Sequence, residues 1–121
     1  MDDRNVKVLI LEDEPMILMD LSFALEDAGY AAVTSSSCEE AIEAIGRERI
    51  DAAILDVNLG GGETCEPAAE LLKERGIPFF LHTGDLDRHG ELVERIGAPI
   101  VSKPASSERI AEMVSKLLEP A

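Results

Sequence analysis

Basic residues are scarce in this sequence: 11 Lys and Arg stand against 25 Asp and Glu, a formal net charge of −14 over 121 residues. Nucleic-acid binding needs Lys and Arg to displace counterions from phosphates, so the balance argues against a direct nucleic-acid partner. It fits a surface that stays soluble or meets a basic or mixed partner, and part of it can be gathered to hold a cation. Tryptophan is absent and aromatics make up only 3%, yet 45% hydrophobic and 30% charged residues remain an ordinary globular composition. Cysteine is nearly absent too. Cys38 and Cys65 have neither CxxC spacing nor a flanking His, which leaves two reduced thiols near helix starts rather than a metal or redox motif. No apolar run approaches a membrane span, and the opening Met1-Asp2-Asp3-Arg4-Asn5 has none of the regions of a signal peptide. The expectation is a cytoplasmic protein without a membrane partner, folded as one domain over residues 1–121.

The most informative stretch is Asp51-Ala-Ala-Ile-Leu-Asp56-Val-Asn58-Leu-Gly-Gly-Gly62. A run of small and branched apolar residues, too short for a helix, reads as a strand buried on both faces. Asp56 then ends that strand at the carboxyl edge of a parallel sheet, where open α/β sheets bind their ligands. The glycines let the chain turn away and clear space above the carboxylate.

Around it the chain alternates. Val6–Leu11 reads as a first strand running into Glu12-Asp13-Glu14, and Pro15 opens a helix in which Ile17, Leu18, Leu21, Ala24, Leu25 and Ala28 share a face. After Gly29, Tyr30–Val33 reads as a second strand, and Thr34–Ser37 as a polar turn suited to capping. The next helix turns Ala41, Ile42 and Ile45 inward and breaks near Gly46. Glu66-Pro67 starts a third helix bearing Ala68, Leu71 and Leu72, which stops at Gly76. Ile77–Thr83 is a fourth strand and Leu86–Ile96 a fourth helix with a thin apolar stripe of Leu92, Val93 and Ile96. Pro99–Lys103 reads as a fifth strand at an edge, because proline lacks a ladder donor. The last helix carries Ile110, Met113, Val114, Leu117 and Leu118 on one face. Strands alternating with helices predict an α/β, doubly wound, five-stranded parallel sheet with helices on both faces.

Glu12-Asp13, Asp56, Thr83 and Lys103 all fall at carboxyl ends of strands, which share one edge in a parallel sheet. Carboxylates crowded together repel unless a cation neutralises them. Mg²⁺ suits a few carboxylates plus a phosphoryl oxygen, while a hydroxyl and an ammonium opposite can hold the other oxygens of a transferring phosphoryl group. Acids on one side and Lys on the other is phosphoryl-transfer logic, with Asp56 as the nucleophile.

Those marks (LILEDE, ILDVNL, Thr83-Gly84 and Lys103-Pro104) make the whole chain resemble a receiver domain of the two-component response-regulator family. The resemblance implies a flavodoxin-like fold with strand order 2-1-3-4-5 and Asp56 as phosphoacceptor. It implies Mg²⁺ held directly by Asp13 and Asp56, by Glu12 through water, and by the backbone carbonyl of Asn58. Lys103 would contact the phosphoryl group, Thr83 would swing toward it, and the peptide before Pro104 would be cis, against a prior of about 5% for any X-Pro bond. The phosphodonor would be a phosphohistidine of a sensor histidine kinase or phosphotransfer protein, with Asn58 and Asp85 lining the path of the hydrolytic water. The reading is a single-domain regulator whose output passes through an unnamed protein partner; a phosphorylation-dependent homodimer is left open. The surface expected to signal is the fourth helix, fifth strand and last helix.

One departure stands out: many receivers carry Tyr or Phe three places before the fifth-strand Lys, where this chain has Ile100. Gly76-Ile-Pro-Phe-Phe-Leu-His-Thr-Gly84 partly resembles a subgroup with a PFxFATG-type fourth strand, which also lacks that aromatic and is often linked to bacterial stress signalling. Pro78, Phe79, Thr83 and Gly84 match it; Leu81 and His82 do not.

Blander roles stand beside these. Asp13 or Glu14 can cap a helix, Asp56 can close a turn, Thr83 can be an ordinary strand-end residue, and Lys103 can guard an edge. His82 should point opposite Thr83 as a packed or edge histidine, and His89 should be solvated. Two rival functions remain. A non-phosphorylated receiver serving as a constitutive binding module has room in Ile100, against the intact Asp13, Asp56 and Lys103. A Mg²⁺-dependent enzyme of topoisomerase–primase type wants Asp-x-Asp and a basic groove, and Asp56-Val-Asn58 fails the first test; the same test disfavours a haloacid-dehalogenase phosphatase.

Overall fold

Each of the five apolar runs forms a strand, and each strand is followed by a helix. The computed structural model describes residues 6–57, 59, 63–84 and 90–119. The strands are β1 (Lys7–Leu11), β2 (Ala31–Ser35), β3 (Ala52–Asp56), β4 (Phe79–Thr83) and β5 (Ile100–Ser102). The helices are α1 (Pro15–Asp27), α2 (Cys38–Arg47), α3 (Glu66–Glu74), α4 (Gly90–Ile96) and α5 (Ser107–Leu118). All neighbouring strands are parallel, in the order β2-β1-β3-β4-β5. This is the doubly wound, flavodoxin-like α/β architecture. Every residue of β3 and β4 is buried, which is why those runs show no polar alternation.

Alternation along the strands divides the core in two. Leu9, Leu11, Ala53, Leu55, Phe79 and Leu81 face α2, α3 and α4. Val8, Ile10, Ala52, Ile54, Phe80 and Val101 face α1 and α5.

Helix ends follow local chemistry. Pro15 sits in the first turn of α1, where its missing N–H removes nothing, and the N-cap Glu14 makes no side-chain capping bond. The Ser37 hydroxyl accepts the Glu40 N–H at 3.1 Å, and the Glu40 carboxylate reaches back to the Ser36 N–H at 2.9 Å. Gly29 and Gly76 follow α1 and α3 with φ of +95° and +69°, the left-handed region that other residues resist.

Two expectations need correction. β2 extends to Ser35, because the Ser35 hydroxyl donates to the Ile10 carbonyl at 2.7 Å and so satisfies a polar side chain inside the sheet; the capping turn is only Ser36-Ser37. Ile42, expected inward, is 36% exposed, and α2 instead buries Cys38, Ala41, Ala44 and Ile45. His82 is packed as expected, but β4 lies between β3 and β5 and is no edge. β5, directly after Pro99, is an edge strand as expected, and β2 is the other. The start of the fourth helix near Leu86 lies outside the described residues, which resume at Gly90.

Candidate functional site

Because every strand points the same way, the residues that end β1, β3, β4 and β5 meet at one edge. Glu12 follows β1 and is 1% exposed; its N–H donates to the Ser35 carbonyl at 3.1 Å, which holds the backbone beside β2. Its carboxylate accepts the Glu14 N–H at 3.2 Å through Oε2. Asp56 ends β3 and is 5% exposed, while Asp13 is exposed at the rim. The three carboxylates each offer an oxygen within 4.8 Å of the others.

Lys103 enters from the far side. Its Nζ lies 3.1 Å from Glu12 Oε1 and 3.4 Å from Asp56 Oδ1. The segment is held by the Lys103 N–H donating to the Thr83 carbonyl at 3.0 Å, and the Lys103–Pro104 peptide is cis. Thr83 is buried at the same edge, opposite His82 on the strand. Asn58 and Asp85 lie outside the described residues.

One ammonium does not neutralise three acids. Burial, and then the Glu12 charge, push the Asp56 carboxyl up from 3.8 to about 7, and Lys103 only partly opposes this. For Lys103 the balance runs the other way: burial disfavours its charge, but Asp56 and Glu12 outweigh burial and raise its pKa. The ammonium therefore stays charged while the central carboxylate sits near the point of protonation.

Glu12 Oε1 is buried with the Lys103 ammonium 3.1 Å away as its partner, so that one positive charge is shared between two buried carboxylates with a third at the rim. Carboxylates left in that state favour a further cation. The donors are all hard oxygens, which suits Mg²⁺ and not the softer metals that want His or Cys. The two cysteines stand apart from this chemistry. Both are buried and free, Cys38 opening α2 and Cys65 preceding α3, and burial pushes the Cys65 thiol to about 12.

The sequence reading thus named Glu12, Asp13, Asp56 and Lys103, and the fold brings them together. It did not find the bidentate Arg95–Glu66 ion pair, 2.6 and 2.9 Å, which ties α4 to the start of α3; partners 29 residues apart leave no local signal. Nor did it find what surrounds His82. That ring shares a pocket with Asp20, and its buried nitrogens have no hydrogen-bond partner among the described residues.

The response regulator receiver domain model matches residues 8–115. The chain is 38% identical to the alkaline phosphatase synthesis transcriptional regulatory protein PhoP of Bacillus subtilis strain 168, over 94% of this chain and 49% of that protein. It is 25% identical to the transcriptional regulatory protein GlrR of Escherichia coli K12, over 98% of this chain and 28% of that one. The chain therefore spans about half or less of the length of these curated relatives. Among solved structures it superposes on SdrG from Sphingomonas melonis Fr1 with a TM-score of 0.81 and 37% identity, covering 98% of this chain and all of that one. A CheY-like receiver domain from Methanospirillum hungatei JF-1 gives 0.83 at 24% identity over 94% of each chain, a likeness of fold.

Proposed function

This chain belongs to the family of response regulator receiver domains, and we propose that it accepts a phosphoryl group on Asp56 from a phosphohistidine of a sensor kinase or phosphotransfer protein. The observation that carries the reading is the placing of a buried carboxylate with a raised pKa between two further acids and a charged Lys, at the open edge of the sheet. A solvated turn aspartate would have no such neighbours.

Asp13, Asp56 and the Asn58 carbonyl would hold Mg²⁺, with Glu12 through water; the bound cation would supply charge neutralisation for the transferred oxygens. The rest is the protein's own work. An Asp56 oxygen attacks phosphorus in line as the donor's P–N bond breaks, so the carboxylate must first be ionised. A nearby positive charge favours that form. Lys103 leaves Glu12 to face a phosphoryl oxygen. Thr83 offers a hydroxyl from the end of β4.

Docking of a protein phosphodonor has a surface to use. Among the described residues the exposed large hydrophobics are Met16, Met19 and Phe23 on α1, plus Ile42. The α1 residues lie at i, i+3 and i+7, one face of the helix that starts beside the acidic cluster. Output is expected through a protein partner, since the charge balance of this domain disfavours DNA.

The test is a Mg²⁺-dependent phosphorylation by a small phosphoramidate donor, read by intact mass, with an NMR titration of Mg²⁺ and beryllofluoride beside it. The wild type should gain one phosphoryl group and show saturable shifts at Thr83, Gly84 and Lys103. Asp56→Asn should do neither. A folded wild type that does not respond to either reagent would leave the constitutive binding module as the better reading.

A further inference from the structure

α4 is the least anchored helix. Among the described residues it buries only Leu92 and Ile96, where each other helix buries three or four side chains. Its one side-chain bond to another element, again among the described residues, is the ion pair with Glu66 of α3. Arg95 Nε donates to Glu66 Oε2 at 2.6 Å, and Arg95 Nη2 donates to Glu66 Oε1 at 2.9 Å. Exposed ion pairs usually contribute little to stability, but a two-point guanidinium–carboxylate pair fixes direction as well as distance. Its effect falls on where α4 sits more than on how stable the fold is.

Glu66 is tied in turn to the strand that carries Asp56. It opens α3, and its N–H donates to Thr64 Oγ1 at 3.3 Å. The Cys65 N–H donates to the Val57 carbonyl at 3.3 Å, and the Leu59 N–H to the Glu63 carbonyl at 3.0 Å. Val57, Leu59 and Cys65 are buried, so these bonds lie in surroundings of low dielectric. The path from Asp56 to α4 is therefore short: the peptide to Val57, the hydrogen bond to Cys65, the peptide to Glu66 and the ion pair to Arg95. A second route runs along β4 to its neighbour β5. There it meets Ile100, half-buried against the core that α4 shares, with no ring to turn.

We propose that the Glu66–Arg95 pair is a positioning link that makes α4 follow the backbone beyond Asp56 when that carboxylate takes a ligand. The inference rests on the phosphoacceptor reading, and it supplies a coupling that needs no aromatic residue on the fifth strand. Both residues act through the backbone and not on the phosphoryl group. Coupling of this kind is carried by contiguous bonds, so cutting the ion pair should silence α4 while leaving the site intact.

The test titrates beryllofluoride into the full chain with Mg²⁺, following backbone amides by NMR in the wild type, Glu66→Gln, Arg95→Gln and the double variant. Glutamine suits a helix at both positions, and losing an exposed ion pair costs little stability. The wild type should show saturable shifts at Thr83 and Lys103 and also at Leu92, Val93 and Ile96. Each single variant should keep the first set and lose more than about half of the second. The double variant should match the singles, because both residues act through one contact. Full α4 shifts in either single variant, or losses that add in the double, overturn the proposal. So does a wild type whose shifts stop at the site, or a variant that loses the site shifts as well, since the pair would then only build the pocket. A wild type with no shift anywhere overturns the phosphoacceptor reading and this inference together.

Discussion

Replacing Asp56 with asparagine removes a negative charge from a place where the metal-free fold tolerates it poorly. Burial and Glu12 raise the carboxyl from 3.8 to about 7. A group whose pKa is higher folded than unfolded contributes stability at low pH and loses it as pH rises through the folded value. At about 1.4 kcal/mol per unit, this shift withdraws about 4 kcal/mol between roughly pH 4 and pH 7. Asparagine has nearly the same shape and no such loss. The attraction to Lys103 is already inside that shift, which is the net of burial, Glu12 and Lys103. The variant should therefore be about 4 kcal/mol more stable than wild type at pH 8 without divalent ions. Urea unfolding reads this directly, as a midpoint higher by about 2–3 M with an unchanged slope. The gap should close toward zero near pH 4, where both proteins are neutral at that position. It should also narrow with Mg²⁺, because a cation at a hundred times its dissociation constant stabilises the wild type by about 2.7 kcal/mol. A variant equal to or less stable than wild type at pH 8 without metal would refute the reasoning. Asp56 would then be an ionised carboxylate fully satisfied by Lys103.

Mg²⁺ affinity should rise with pH through about 7 as the Asp56 proton is displaced; calorimetry in buffers of different ionisation enthalpy should count up to one proton released per ion. His82→Leu should stabilise the fold by about 1–2 kcal/mol at neutral pH, since it replaces unpartnered nitrogens with an apolar side chain. In the wild type His82 titrates at about 4 when folded against 6.5 unfolded, so it loses stability as pH falls through that window, about 3 kcal/mol in full; the variant's thermal melts should lack that slope. Two glycines should respond with opposite signs: Gly76→Ala should cost about 1–2 kcal/mol because its φ is +69°, and Gly46→Ala, inside α2 with nothing within 4 Å of an added Cβ, should gain about 1 kcal/mol, both by urea midpoints.

Much of the site was legible in the chain because parallel strands impose a simple rule. Once Lys7–Leu11, Ala52–Asp56, Phe79–Thr83 and Ile100–Ser102 are strands, whatever follows them shares an edge. Glu12, Asp13, Asp56 and Lys103 could be grouped without knowing a single distance. Helix boundaries followed from proline, serine and glycine at their ends. The errors arose where a side chain's partner is remote in sequence. Ser35 looked like a turn residue until its hydroxyl met the Ile10 carbonyl, and Ile42 looked inward because helical period cannot tell the edge of a buried face from its centre.

By itself, then, the order of residues determined the alternating architecture, the depth of β3 and β4, and which chemical groups arrive at the sheet edge. These depend on periodicity and on strand direction, which are local properties. The tertiary structure alone decided how strongly those groups act on one another. The single ammonium stretched between Glu12 and Asp56, the raised Asp56 pKa and the enclosed, unpartnered His82 ring all arise from desolvation and from through-space charge. Those quantities depend on distances between chain segments that sequence separation does not encode.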